Sequence, residues 1–273
     1  MNQVTDSGYA PVNGVDLYWE SYGTEGAPLI VVPGGFGLIS MLHGLIDPLA
    51  ARRRVIVVEL QGHGHTADID RPFSYEAFGD DVAGLIEYLG LGQADLLGYS
   101  LGAQAVLRAA VQHPDLARKL AIVSMPFKRE GWYPEVLAAF DQMSSANFPM
   151  MKQTPLYQGY SQVAPDPDAF PRLMDKTGEL QRQPYDWSDD LRRLTVETLL
   201  VYADADSVPV THIAEFYALL GGGLQDASWD GSGRPKAQLA ILPGLTHYDI
   251  FGSPRLVDLV NGFFDGSLVT SPA

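Results

Sequence analysis

The chain has 273 residues, 46% of them hydrophobic and 19% charged, with a formal net charge of -15 and no cysteine. A chain of this length buries roughly 70–75% of its unfolded surface, so a single core suffices for stability. The charge makes nucleic acid and anionic membranes poor partners, and the lack of cysteine excludes disulfides, thiol nucleophiles and thiolate metal sites. The first residues, MNQVTDSGYAPVNG, carry neither a basic nor a long apolar region. No apolar run reaches the ~18–20 residues that span a bilayer. The expectation is a soluble cytoplasmic protein acting on a small molecule; oligomeric state leaves no signal.

In chain order, Val15–Tyr22 alternates polar and apolar residues as a strand does. Leu29–Val32 is a continuous apolar run ending at Pro33-Gly34-Gly35. Residues 54–60 (RVIVVEL), 94–97 (ADLL), 120–124 (LAIVS), 198–203 (TLLVYA) and 238–242 (QLAIL) complete the apolar set. Such runs fit a sheet covered on both faces. Between them lie helix candidates. Residues 74–89 begin at Ser74, a plausible N-cap, and place Phe78, Val82, Leu85, Ile86 and Leu89 on one stripe. Leu101–Gln112 stops before His113-Pro114. Residues 211–220 end at Gly221, and residues 256–264 close the pattern. This alternation predicts an α/β fold, a doubly wound and mostly parallel sheet. It breaks between residues 125 and 194, a stretch rich in Pro, Met, Gln and aromatics that reads as a helical insert over one end of the sheet. The predicted organisation is therefore a core of residues 1–124 and 195–273 with an insert of 125–194. Residues 221–236 read as a Gly-rich surface loop.

Gly98-Tyr99-Ser100-Leu101-Gly102 is a G-x-S-x-G between the apolar run ADLL and the small-residue helix AQAVLRAA. That strand–turn–helix context is what a nucleophile elbow requires: a strained turn lifts the serine above the sheet, and the glycines admit close backbone approach. The following helix N-terminus aims N–H groups at a developing oxyanion. A serine nucleophile needs a base. Of six histidines, His247 follows QLAIL and so sits past the C-terminal end of a strand, where α/β sheets place their sites. His63 and His65 form a rival pair on another loop of the same sheet edge. The third member, a carboxylate that fixes the imidazole, is Asp204 or Asp206, directly after TLLVYA. The order Ser, Asp, His suits this architecture. A second oxyanion donor beside Leu101 is available in Pro33-Gly34-Gly35-Phe36-Gly37. Phe36 and Tyr99 flank the serine and are expected to line a substrate pocket.

At these residues the sequence resembles the α/β-hydrolase fold family, of the esterase, lactonase and carbon–carbon hydrolase kind. The likeness extends over nearly the whole chain. Glu59-Leu60-Gln61-Gly62-His63-Gly64 is similar to the family's D-x-x-G-x-G loop, and Pro243-Gly244-Leu245-Thr246-His247 to P-G-x-x-H. Residues 203–209 (ADADSVP) are similar to G-x-x-D-x-x-x-P, with one residue fewer between Asp206 and Pro209, which implies Asp206 as the acid. The resemblance also implies Gly35 as the first-loop oxyanion donor, and residues 125–194 as a cap that shapes the pocket. Pro33, Glu59 and Ala203 depart from the family's usual His, Asp and Gly. Serine at position 100 argues against the haloalkane dehalogenase and epoxide hydrolase members, which carry Asp there.

The combined expectation is a serine hydrolase that transfers the acyl group of a small ester or lactone to water, with no metal or organic cofactor implied. Carbon–carbon bond hydrolysis or cofactor-free perhydrolysis on the same residues is the nearest alternative. A non-catalytic small-ligand binding protein on the same fold is the alternative of another class.

Overall fold

The computed structural model describes residues 3–268. Eight strands form one sheet in the order β1-β2-β4-β3-β5-β6-β7-β8. They are β1 (Val4–Val12), β2 (Val15–Tyr22), β3 (Leu29–Val32), β4 (Val55–Val58), β5 (Ala94–Tyr99), β6 (Ala117–Val123), β7 (Glu197–Ala205) and β8 (Gln238–Thr246). The pairs β1/β2 and β2/β4 are antiparallel, and all others are parallel. The helices are α1 (His43–Ala50), α2 (Tyr75–Tyr88), α3 (Leu101–Gln112), α4 (Pro134–Asp141), α5 (Phe148–Met151), α6 (Pro155–Val163), α7 (Phe170–Arg182), α8 (Ser188–Arg193), α9 (Val210–Leu219) and α10 (Pro254–Phe264).

The apolar runs are buried on both faces because alternate residues feed two cores. Ile30, Val32, Ile56, Val58 and Leu96 face α2, α3 and α9. Leu29, Val31, Val55, Val57 and Leu97 face α1 and α10. Each such side chain contributes roughly 1.5–3 kcal/mol on burial. Ser74 caps α2 as its sequence predicts, its side chain accepting from Ala77 N–H at 3.0 Å.

β1 was not foreseen from sequence. It pairs with β2 through a two-residue turn, Asn13 (φ 49°) and Gly14 (φ 83°). Asn-Gly is the strongest short hairpin signal, because both central residues of that turn need positive φ. The alternation in β1 was masked by its exposure, with Val4, Thr5, Asp6 and Ser7 all open to solvent.

The topology fixes where a site can lie. After β3 the chain crosses to β4 on one side, then returns to β5 on the other. The crevice between β3 and β5 is the switch point, and ligands bind in open α/β sheets outside the carboxyl ends of strands there. Among the described residues, the segment from β6 to β7 holds helices α4–α8 and no ladder strand, only an isolated bridge between Lys128 and Asp186.

Candidate active site

Ser100 stands between β5 and α3 with φ 52° and ψ -118°, a conformation L-residues rarely adopt. Its glycine neighbours explain how the turn closes. A Cβ on Gly98 would lie 2.3 Å from the Gly102 carbonyl oxygen, and one on Gly102 would lie 2.2 Å from that of Val32. Ser100 N–H donates to Val123 O at 3.0 Å, which pins the elbow to β6. Leu101 is the first residue of α3, so its N–H has no acceptor within the helix.

The β3 loop lies against this elbow. A Cβ on Gly34 would touch the Tyr99 ring at 2.9 Å and Ser100 Cβ at 3.4 Å, and one on Gly35 would touch Leu101 Cδ2 at 3.7 Å. Gly37 N–H donates to Gly34 O at 2.9 Å, with Phe36 held at φ 61° inside the turn. Among the described residues, neither Gly35 N–H nor Phe36 N–H donates a hydrogen bond. The loop's far side is fixed by Glu59, a buried carboxylate that accepts from Ile39 N–H (3.0 Å), His65 N–H (2.7 Å) and the His65 ring (2.9 Å). Glu59 thus meets three donors from two residues of the chain.

His247 follows β8. Its Nδ1 lies 3.1 Å from Asp206 Oδ1, and the carboxylate has no solvent exposure. Asp206 also accepts from Ser207 N–H (2.7 Å), Ala203 N–H (3.0 Å) and the Ser124 hydroxyl (2.5 Å). Burial alone would raise the Asp206 carboxyl. The His247 hydrogen bond and charge, with Ser124 and Ala203, outweigh it and hold the group below the ordinary carboxylate range. Ser124 is a partner that sequence reading did not single out. It follows β6 directly at φ 55°, a positive φ that it shares with Ser100 and Phe36.

Ser100, His247, Gly35 and Leu101 line one cavity of about 690 Å³. Phe36 and Tyr99 line it too. Tyr99 has a further part: its hydroxyl donates to the His247 carbonyl at 2.5 Å, and its ring stacks on Phe251 at 4.7 Å. Trp132 meets the His247 ring edge-on at 5.6 Å. Ser100 makes no hydrogen bond to His247 among the described residues. The other candidates lie elsewhere. His63 is buried with Nδ1 on Gln61 O (3.0 Å), and burial lowers its pKa. His65 stacks on Tyr18 at 4.1 Å. Asp204 is exposed and accepts from Leu245 N–H at 3.3 Å. None of these three lines the cavity.

The opposite wall comes from the segment between β6 and β7: Trp132, Val136, Phe140, Met143, Leu156, Thr177 and Gln181. The last two are buried polar residues one turn apart on α7. No single-residue motif marks them, since their role depends on which face of α7 turns inward. Among the described residues, no group of three His, Asp or Glu side chains is arranged to hold a metal ion. No described helix is long and apolar enough to cross a membrane.

Comparison with known proteins follows the same lines. A family model described as alpha/beta hydrolase fold matches residues 27–181, more than half of the chain. The chain belongs to the α/β-hydrolase fold family. Over 88% of its length this α/β-hydrolase is 28% identical to a pimeloyl-[acyl-carrier protein] methyl ester esterase of Yersinia pseudotuberculosis, covering 93% of that protein. It is 37% identical over 84 residues to a 2-(acetamidomethylene)succinate hydrolase of Mesorhizobium japonicum, 31% of this chain and 30% of that one. Six of the curated relatives are spanned over only 30% to 50% of their own length. Among solved structures, an E-2-(acetamidomethylene)succinate hydrolase superposes with a TM-score of 0.72 at 21% identity, over 95% of this chain and 99% of that one, a likeness of fold.

Proposed function

We propose that this α/β-hydrolase cleaves a small carboxylic ester or lactone by transferring its acyl group to water, with Ser100 as nucleophile, His247 as base and acid, and Asp206 as the orienting carboxylate. One observation carries the reading: a strained serine shares a 690 Å³ cavity with a histidine whose Nδ1 is held by a buried carboxylate. The named ester hydrolases among the relatives support it.

With Nδ1–H donated to Asp206, Nε2 is the basic nitrogen. Ser100 Oγ attacks the carbonyl carbon while its proton passes to Nε2. The carbonyl electron pair moves onto oxygen, and the N–H groups of Gly35 and Leu101 receive that charge. Collapse breaks the bond to the leaving group, which takes the proton from Nε2. Water then attacks the acyl-enzyme, giving a proton to Nε2, and the second collapse returns it to Ser100 Oγ. Asp206 stays ionised throughout, as its lowered pKa requires. Tyr99 fixes the base by holding the His247 carbonyl. Residues 125–194 serve as a cap that closes the acyl pocket over the core formed by 1–124 and 195–273.

A fluorophosphonate probe followed by peptide mapping tests the assignment. Stoichiometric label on Ser100 is the expected result. No label, or label on another residue, overturns it.

A further inference from the structure

The charge inventory of the cavity constrains the acyl group. Among the described residues, its ionisable lining side chains are Tyr99, His247, Tyr248 and Asp249, and no lysine or arginine lines it. Asp249 is an exposed carboxylate on the rim that accepts from Thr246 N–H at 2.7 Å. The nearby Arg129 turns its guanidinium to the Gln181 carbonyl (2.9 Å) and Asp141 (2.6 Å), and it does not line the cavity. A carboxylate carried on the acyl group would therefore lose its hydration without meeting a cation, and it would face the field of Asp249 and a chain of net charge -15.

The wall offered to the acyl group is mostly apolar; besides Ser207 and the Trp132 indole N–H, its polar groups are two residues of α7. Thr177 and Gln181 lie four residues apart on α7 and so share a face. The Thr177 hydroxyl donates within its own helix, to Leu173 O at 2.7 Å. Gln181 is more than nine-tenths buried, and its Oε1 accepts from the Tyr75 hydroxyl at 3.3 Å. That leaves the Gln181 Nε2 hydrogens without a partner among the described residues, on a side chain that lines the cavity. The amide nitrogen is open to the cavity, so an acceptor atom on a bound acyl group can meet it.

Resting on the serine-hydrolase reading above, we propose that the site selects an uncharged acyl group, apolar along its length, carrying one hydrogen-bond acceptor that Gln181 Nε2 engages. Gln181 is a specificity residue, and the absence of a cation rejects carboxylate-bearing acyl groups.

The test compares three p-nitrophenyl esters of equal chain length on the full-length protein: hexanoate, an oxohexanoate with its keto group one carbon from the chain end, and hemiadipate. Hexanoate is expected to exceed hemiadipate in kcat/KM by about 100-fold or more, the scale of an unpaired buried charge. The keto ester is expected to exceed hexanoate. Gln181→Leu is expected to shrink that keto-to-hexanoate ratio by about tenfold, the scale of one hydrogen bond, with the ratio cancelling any common loss of fold. Hemiadipate turned over within tenfold of hexanoate would overturn the charge selection. A keto ester no better than hexanoate, or a ratio that Gln181→Leu leaves in place, would overturn the role of Gln181. These failures differ from failure of the underlying reading, in which Ser100 takes no fluorophosphonate and none of the three esters is hydrolysed; this inference then falls with it.

Discussion

The two walls of the cavity are built on different physical terms. On the sheet side, Ser100, Asp206 and His247 each stand at or just past the carboxyl end of a strand, and hydrogen bonds between neighbouring strand ends fix their backbones. On the helical side, Trp132, Phe140, Leu156 and Gln181 are held by side-chain packing, such as the edge-on contact of Trp132 with Phe140 at 5.5 Å. A backbone-determined wall tolerates little change, because main-chain atoms cannot step aside. A packed wall can be recut by substitution, which suits the part of a pocket that sets substrate preference.

The largest effect expected from this contrast is chemical. Ser100→Ala should lower kcat by about 10⁴–10⁶ in steady-state hydrolysis of a p-nitrophenyl ester, with an unchanged melting temperature. Residual activity within tenfold of the parent would sink the nucleophile assignment. Next comes the backbone itself. Gly102→Ala would place a methyl group 2.2 Å from Val32 O and 2.3 Å from Pro33 O, with no flexible atom to yield. We expect a loss of about 3–5 kcal/mol, read as a drop of roughly 10 °C in calorimetry. A drop under a few degrees would mean that the elbow is looser than its contacts imply.

The same contrast explains what the sequence made legible. Gly98, Ser100 and Gly102 are visible because a strained turn demands those residue types at that spacing, and His247 and the pair Asp204/Asp206 because strand ends can be located from apolar runs; the choice of Asp206 within that pair came from the family resemblance. Ser124 stayed hidden: its hydroxyl reaches Asp206 across the sheet, and only the β6/β7 pairing brings the two together. Gln181 stayed hidden for the helical reason. Its sequence neighbourhood, GELQRQ, reads as an exposed polar face, and the tilt that turns it inward is set by packing of Phe170, Leu173 and Met174 beneath it. The exposed half of β1 defeated pattern reading because an edge strand with two open faces has no periodicity to show.

His212 lies outside the cavity lining, ties α9 to the start of the helical segment and supplies a third, smaller effect. Its ring on α9 stacks on Phe127 at 4.3 Å, and its Nε2 accepts from Phe127 N–H at 3.3 Å, at the start of the helical segment. Burial pushes its pKa down to about 4 against the attraction of Glu215. The folded state therefore prefers the neutral ring, and the unfolded chain takes the proton first as pH falls. Stability from this group is complete above the ordinary value of 6.5 and is lost between 6.5 and about 4. Protonation would also turn the acceptor into a donor facing Phe127 N–H. His212→Gln keeps an acceptor and does not titrate, so it should remove about 2 kcal/mol of acid sensitivity in that window. Asp95, raised by burial to about 6, titrates there with the opposite sign in both proteins, so the difference between their melting profiles isolates His212. Parallel profiles would exclude this account.

The smallest effect is the sharpest check on the comparison, because it applies the Gly102 substitution to the other wall. Gly159 lies inside α6, and a Cβ there would meet Leu38 Cδ1 at 2.8 Å and Met41 Cε at 3.3 Å. Both atoms are tips of flexible side chains, and Met41 is exposed and lines the cavity. A small rotation relieves the contact, while alanine in a helix interior gains roughly 1 kcal/mol over glycine. Gly159→Ala should therefore leave the melting temperature unchanged or raise it by a few degrees. Because the shifted Met41 moves a wall of the pocket, acyl-chain preference should change severalfold at the same time. Stability held with specificity altered is the behaviour of a packed wall. A loss of stability comparable to that of Gly102→Ala would show that the helical segment is as backbone-bound as the sheet, and the distinction between the walls would fail.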